Sequence, residues 1–169
     1  MISRTLVNKV KGVFIDTCIW SLAYKIPRKN RFKGEEEYKE ALELHIKASE
    51  FLKKNLEDNI IYMTYFQVME IFHVLGFRGT KLQLKIAKSI TDYILKSPKI
   101  VKVEIPPTIY KKCLELSAET GIHIWDFLCI LPLKDLIDKA YSMDKHFQHK
   151  VFKERGIHVE NPFGIWITA

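Results

Sequence analysis

Two aspartates in this sequence close short apolar runs, and two further acids stand alone in apolar segments. Val13-Phe14-Ile15 stops at Asp16, and Ala140-Tyr141-Ser142-Met143 stops at Asp144. A buried strand ending in a carboxylate delivers that group to the sheet edge where parallel α/β folds bind ligands. Read alone, either aspartate serves equally well as a cap for the turn or helix that follows. Glu70 sits in Tyr65-Phe66-Gln67-Val68-Met69-Glu70-Ile71-Phe72-His73-Val74-Leu75, a segment apolar nearly all the way round. Phe66, His73, Val74 and Phe77 share its side of the helix. Hydration lost there is costly unless a cation or a donor compensates, and an ion pair with a lysine or His73 would do so. Asp126 repeats the pattern inside Ile122-His123-Ile124-Trp125-Asp126-Phe127-Leu128-Cys129-Ile130-Leu131, where the helix dipole offers a plainer reason for a first-turn acid.

One hypothesis covers all four. Asp16, Glu70, Asp126 and Asp144 converge on one crevice, and their mutual repulsion is relieved by a bound cation. Oxygen ligands without Cys or His at zinc-ligand spacing point to Mg²⁺ or Mn²⁺. Such an ion keeps open positions for a phosphate oxygen and an attacking water, which is the chemistry of phosphodiester hydrolysis.

Positioning these acids requires alternating strands and helices. Strands are expected at residues 13–15, 60–63, 99–105 and 140–143, with an edge strand added by the tail, 157–159 and 164–168. Helices are expected from Thr17, over 35–54, 65–75, 81–96, from Pro106-Pro107 to Gly121, and over 123–131, ended or bent near Pro132. Glu35 to Lys54 opens with acids and closes with lysines, and Glu35–Lys39, Glu43–Lys47 and Glu50–Lys54 have the spacing of helical ion pairs. This order predicts a three-layer α/β/α fold around a central, mostly parallel sheet.

The chain of 169 residues fits one domain, 1–169, in which 25–57 form a basic loop and a helical insertion after the first strand. Lys and Arg total 27 against 20 Asp and Glu, a balance of +7 that favours polyanionic partners. Arg28, Lys29, Arg31 and Lys33 form the densest basic cluster and are candidate RNA contacts, with Lys81, Lys85 and Lys88 as a second row. A solvated face explains both equally well. Trp20, Tyr24 and Phe32 are candidate base-stacking aromatics, or core. His146 and His149 lie near Asp144 and are candidate phosphate contacts. Three cysteines without metal spacing read as free buried thiols of a reducing compartment. The first twelve residues lack the apolar run of a secretory leader, and no stretch is long enough for a membrane span; the expectation is a cytoplasmic protein.

These segments together resemble the PIN domain family, and most closely its VapC-type toxin ribonucleases. Val13-Phe14-Ile15-Asp16-Thr17 is similar to the family's opening strand and acid, and Thr64 followed by Glu70 to the segment carrying the second. Trp125-Asp126 resembles the third, and Ser142-Met143-Asp144-Lys145-His146-Phe147 the fourth. The resemblance implies a PIN-like fold, a Mg²⁺- or Mn²⁺-dependent endoribonuclease, a homodimer and an inhibitory antitoxin protein. It implies Asp16, Glu70, Asp126 and Asp144 as catalytic and metal-binding acids, with Thr17 and Ser142 as hydroxyls that orient carboxylates or water. The sequence departs from the pattern at His146, where the family often has another acid, at Pro132, and in the long segment 25–57. Two rivals follow from this: a nuclease acting on DNA or on structured RNA outside a toxin–antitoxin pair, and a catalytically inactive PIN-like module that binds RNA or protein. A receiver-like phosphoacceptor domain lacks its paired acids and lysine here.

Overall fold

A computed structural model describes residues 12–168. The segment 1–11, on which most of the reading of the N-terminal stretch falls, and residue 169 lie outside the described residues.

Five strands form one parallel sheet in the order β3-β2-β1-β4-β5: β1 Gly12–Ile15, β2 Ile60–Thr64, β3 Ile100–Val103, β4 Lys139–Tyr141 and β5 Val159–Glu160. Alternation along β1 divides the interior. Val13 and Ile15 face a core built with Trp20, Leu52, Val68, Ile71, Ala87 and Ile94, while Phe14 faces one built with Leu116, Phe127, Leu133, Phe147 and Phe152. The first face is therefore covered by α1 Thr17–Tyr24, α2 Glu35–Asp58, α3 Tyr65–Phe77 and α4 Leu84–Lys96. The second is covered by α5 Pro107–Thr120, α6 Ile124–Ile130 and α7 Lys150–Glu154. The fold is three-layer α/β/α, as the alternating pattern requires. Among the described residues no helix is long and apolar enough to cross a membrane.

Several ends differ from the sequence expectation. Helix α2 runs four residues past Lys54, so its last turn holds Glu57 and Asp58 and no base. Asn59 closes it instead, its backbone N–H and side-chain amide both reaching Asn55, and Lys99 Nζ donates to Glu57 O at 3.0 Å. Of the three ion pairs expected along α2 only Glu43–Lys47 forms, at 2.6 Å, while Glu35 turns back to Lys29. Helix α4 begins at Leu84 rather than Lys81. Helix α5 ends at Gly121, whose φ of 73° is the left-handed conformation that favours glycine. Helix α6 stops at Ile130, and Pro132 sits in a following 3-10 turn, Leu131–Leu133.

The tail packs on its own chain. Phe163 meets Phe51 edge-on at 5.6 Å, and Ile167 N donates to Met143 O at 2.8 Å, which bridges the tail to the segment carrying Asp144.

Candidate metal and nuclease site

Strand β1 has β2 on one side and β4 on the other, so the chain's crossover direction reverses at the β1–β4 boundary. A crevice opens there at the carboxyl ends of the strands. Asp16 follows β1 directly, and its N–H donates to Tyr141 O at 2.9 Å, which fixes it beside the end of β4. Its side chain caps α1: Oδ1 accepts the Thr17 N–H at 2.8 Å. Oδ2 accepts from Ser142 Oγ at 2.7 Å and from Cys18 Sγ at 3.0 Å. Ser142 Oγ in turn accepts the Asp144 N–H at 2.9 Å, so one hydroxyl holds both strand-end acids. Asp144 caps a 3-10 turn, Lys145–Gln148, by accepting the His146 N–H on Oδ1 at 2.9 Å.

The two helical acids enter from opposite layers. Thr64 caps α3 by accepting the Gln67 N–H, which sets Glu70 in the second turn, above the end of β1. Thr17 Oγ1 donates to Glu70 Oε2 at 2.5 Å, and Cys129 Sγ approaches the same oxygen at 3.5 Å. Asp126 lies in the first turn of α6, and its Oδ2 stands 2.9 Å from His146 Nδ1. The ligand atoms of Asp126, Asp144 and His146 all lie within 4.8 Å of one another. Thr17 and Ser142 each donate to a carboxylate of this group.

Electrostatics tie the four acids together. Burial, and then the neighbouring charges of Asp16 and Asp144, push the Asp126 carboxyl up to about 7. Burial raises Asp16, with Asp144 adding to it, and burial raises Glu70, with Asp16 adding to it. Among the described residues no lysine or arginine forms an ion pair with any of the four. The lysine pair weighed for Glu70 is absent, and His73 is exposed, stacked on Phe77 and in contact with Arg78 instead. Helix α3 is also less enclosed than its composition suggests: Val68, Ile71 and Leu75 pack on the sheet, while Tyr65, Met69, His73 and Phe77 make an exposed stripe. Glu70 lies between these faces, partly buried.

A divalent cation fits this donor set. Partly and fully buried carboxylates crowded together without a lysine or arginine partner gain most from a small hard cation. Asp126 and Asp144 are the acids best placed to hold it, because both oxygens of Asp16 are already engaged by donors.

Other candidates lie elsewhere. Arg28, Lys29, Arg31 and Lys33 follow the C-terminal end of α1, whereas Asp16 caps its N-terminus. Lys25 Nζ donates to Val74 O and Arg78 O at 2.6 and 2.8 Å, which seats the start of this loop at the far end of α3. Lys88 pairs with Asp92. Trp20 is fully buried, its indole N–H donating to Ile15 O, and Phe32 packs on Tyr38; both act in packing rather than as open stacking surfaces. His149 caps α7.

The structure adds residues that sequence reasoning missed. Cys18 and Cys129 are free thiols turned toward Asp16 and Glu70, and burial holds both far above the ordinary thiol range. Their spacing, two residues after Asp16 and three after Asp126, was the available signal. Trp125 is 52% exposed beside Asp126 and lies flat on Phe66, with ring centroids 5.3 Å apart and planes 12° from parallel.

No protein-family model matches the sequence, and no curated protein is similar to it. Among solved structures, the chain is similar to a chain of VapBC2 from Rickettsia felis, crystallised bound to a DNA fragment from their promoter. The superposition covers 89% of this chain and 98% of that one, with a TM-score of 0.51 and 13% identity. At that identity the likeness carries the fold alone. The chain thus has the three-layer α/β/α fold of that chain, with an acidic crevice at the carboxyl ends of its strands.

Proposed function

We propose that this chain is a Mg²⁺- or Mn²⁺-dependent endoribonuclease, the toxin of a toxin–antitoxin pair, whose site is formed by Asp16, Glu70, Asp126 and Asp144. The observation that carries the reading is the convergence of four acids without a lysine or arginine partner in a protein of net charge +7. The fold shared with a chain of the VapBC2 complex supports an antitoxin as partner; RNA as substrate and a homodimer belong to the same reading.

Asp126 and Asp144 would hold the ion. When bound, it supplies Lewis-acid charge that acidifies water and offsets the negative charge building on the phosphate. Asp16 fixes the geometry: through Ser142 it sets the position of Asp144, and its charge deepens the negative potential of the crevice. Glu70 is the proton acceptor. Thr17 and Cys129 hold its Oε2, which leaves Oε1 to orient the attacking water and take its proton. Trp125, exposed at the rim, offers a face on which a base of a single strand stacks.

The test is incubation with a pool of single-stranded and structured RNA in Mg²⁺, Mn²⁺ or EDTA, beside the Asp16→Asn variant. Cutting that depends on the ion and is lost in the variant is the expected result. One observation favours a second reading, an inactive RNA- or protein-binding module: His146 Nδ1 stands 2.9 Å from Asp126 and 3.6 Å from Asp144, where a protonated ring would offset one of the two charges without metal. Absence of cutting together with absence of Mn²⁺-linked thermal stabilisation would select that module.

A further inference from the structure

We infer that the cation site is a mixed oxygen–nitrogen site, in which His146 Nδ1 is a direct ligand beside Asp126 and Asp144, and which prefers Mn²⁺ and other first-row transition dications to Mg²⁺. The inference rests on the cation-dependent reading above and deepens it by naming the ligand set and the class of ion.

Backbone geometry places the ring. The cap that Asp144 makes with the His146 N–H fixes the residue two positions on, and the imidazole swings back over the carboxylate that holds it. Nδ1 then lies 3.6 Å from Asp144 Oδ1 and 2.9 Å from Asp126 Oδ2. Two donors at about 2.1 Å from one ion stand roughly 3 to 4.2 Å apart. The mutual limit of 4.8 Å for the three ligand atoms is close to that span, so small side-chain adjustments bring all three onto one ion. The ring also meets a second imidazole. His123 packs against it with centroids 4.9 Å apart and planes inclined at 59°.

The donor set selects the ion. Mg²⁺ is built for oxygen ligands and dehydrates reluctantly, whereas Mn²⁺ opens the first-row series in which affinity for a mixed nitrogen–oxygen site generally rises through Fe²⁺ and Co²⁺, and imidazole nitrogen suits the later members best. Two carboxylates and one imidazole drawn from α6 and the turn after β4 leave positions open for water and phosphate. A histidine in this place therefore changes which metal serves the site.

The experiment is pulsed EPR of the full chain loaded with one equivalent of Mn²⁺, prepared with natural and with ¹⁵N-labelled histidine. A nitrogen coupling to Mn²⁺ that changes isotope on labelling is expected in the wild type and in His123→Gln, and its loss is expected in His146→Asp. By calorimetry, His146→Asp should shift the ratio of Mg²⁺ to Mn²⁺ affinity toward Mg²⁺ by about tenfold. The labelling comparison needs no variant, so it stands if His146→Asp folds poorly. Bound Mn²⁺ that Asp144→Asn displaces but that shows no nitrogen coupling overturns the inference while leaving the cation reading intact. Coupling that persists in His146→Asp also overturns it. Failure of the wild type to take up Mn²⁺ overturns both.

Discussion

Thr17 Oγ1 donates a 2.5 Å hydrogen bond to Glu70 Oε2, and so ties the helix that follows β1 to the helix that follows β2 across the mouth of the crevice. The same residue's backbone N–H donates to Asp16 Oδ1, the cap of that first helix. One threonine thus serves two acids that follow neighbouring strands, and the orientation of Glu70 depends on a residue 53 positions away.

Replacing Thr17 with Val should therefore act on both stability and chemistry. It removes the shorter of two donors to Glu70 and leaves only the Cys129 thiol at 3.5 Å. Hydrogen bonds to charged groups contribute about 1.5–3 kcal/mol, so denaturant unfolding should show a loss at or below the lower end for this partly buried group. RNA cleavage should fall about tenfold with little change in substrate affinity. Thr17→Ser retains the hydroxyl and should recover both; a Val variant as active as the Ser variant would remove Glu70 from the chemistry.

The clustered acids set a pH dependence of stability in the metal-free protein. The Asp126 carboxyl is raised from 3.8 to about 7 in the fold, by burial and by its neighbours Asp16 and Asp144. A raised acid binds its proton more tightly when folded than unfolded, so its contribution is fully present below about pH 4 and lost as pH rises through about 7. Asp16 and Glu70 are raised in the same direction. Calorimetry in chelator should show Tm falling from about pH 5 to about pH 8, with a shallower slope in Asp126→Asn. Saturating Mn²⁺ should flatten the wild-type slope, since the ion then compensates the ionised acids; a Tm that rises over this interval would contradict the cluster.

The layers of this fold were legible because its apolar residues are periodic. Val13-Phe14-Ile15 reads as a strand, and both of its faces are buried. Asp16, Glu70, Asp126 and Asp144 stood out because acids in apolar surroundings are costly, and all four reach the same crevice. What the sequence hid was set by tertiary contacts. Trp20 reads as a stacking surface or core until the sheet covers it, and Glu35 chooses Lys29 over the helical spacing with Lys39. His146 was legible as a neighbour of Asp144 in the chain. Its contact with Asp126, 20 residues away, depends on where α6 meets the turn after β4.

The basic loop gives a prediction about substrate length. Helix α1 separates Asp16 from Lys25 by eight residues, roughly 12 Å at 1.5 Å per residue, and Arg28 to Lys33 lie beyond that end. Changing Arg28, Lys29, Arg31 and Lys33 to serine should leave cleavage of a four-nucleotide RNA within about threefold of wild type. Binding of a long RNA should weaken, and its salt dependence should become shallower by about 0.7 for each phosphate that the loop no longer neutralises. Equal loss on both substrates would mean that the loop folds over the crevice.

Trp125 yields the prediction that separates RNA binding from metal binding. Its indole is 52% exposed, flat on Phe66, and adjacent in the chain to Asp126, so a base stacked on its outer face places the neighbouring phosphate near the acids. Base–aromatic stacking contributes about 1–3 kcal/mol per base, which is roughly 5- to 150-fold in affinity. Trp125→Ala should weaken binding of a single-stranded RNA by that factor in Mn²⁺, read by fluorescence anisotropy in the Asp16→Asn background so that the probe survives. Trp125→Phe should recover most of it. Mn²⁺ affinity, measured separately by calorimetry, should stay within about twofold, because the indole supplies no ligand atom. A variant that binds RNA as tightly as its parent would mean that the strand enters from another side of the crevice, and the aromatic pair would then be read as packing that holds α6 against α3.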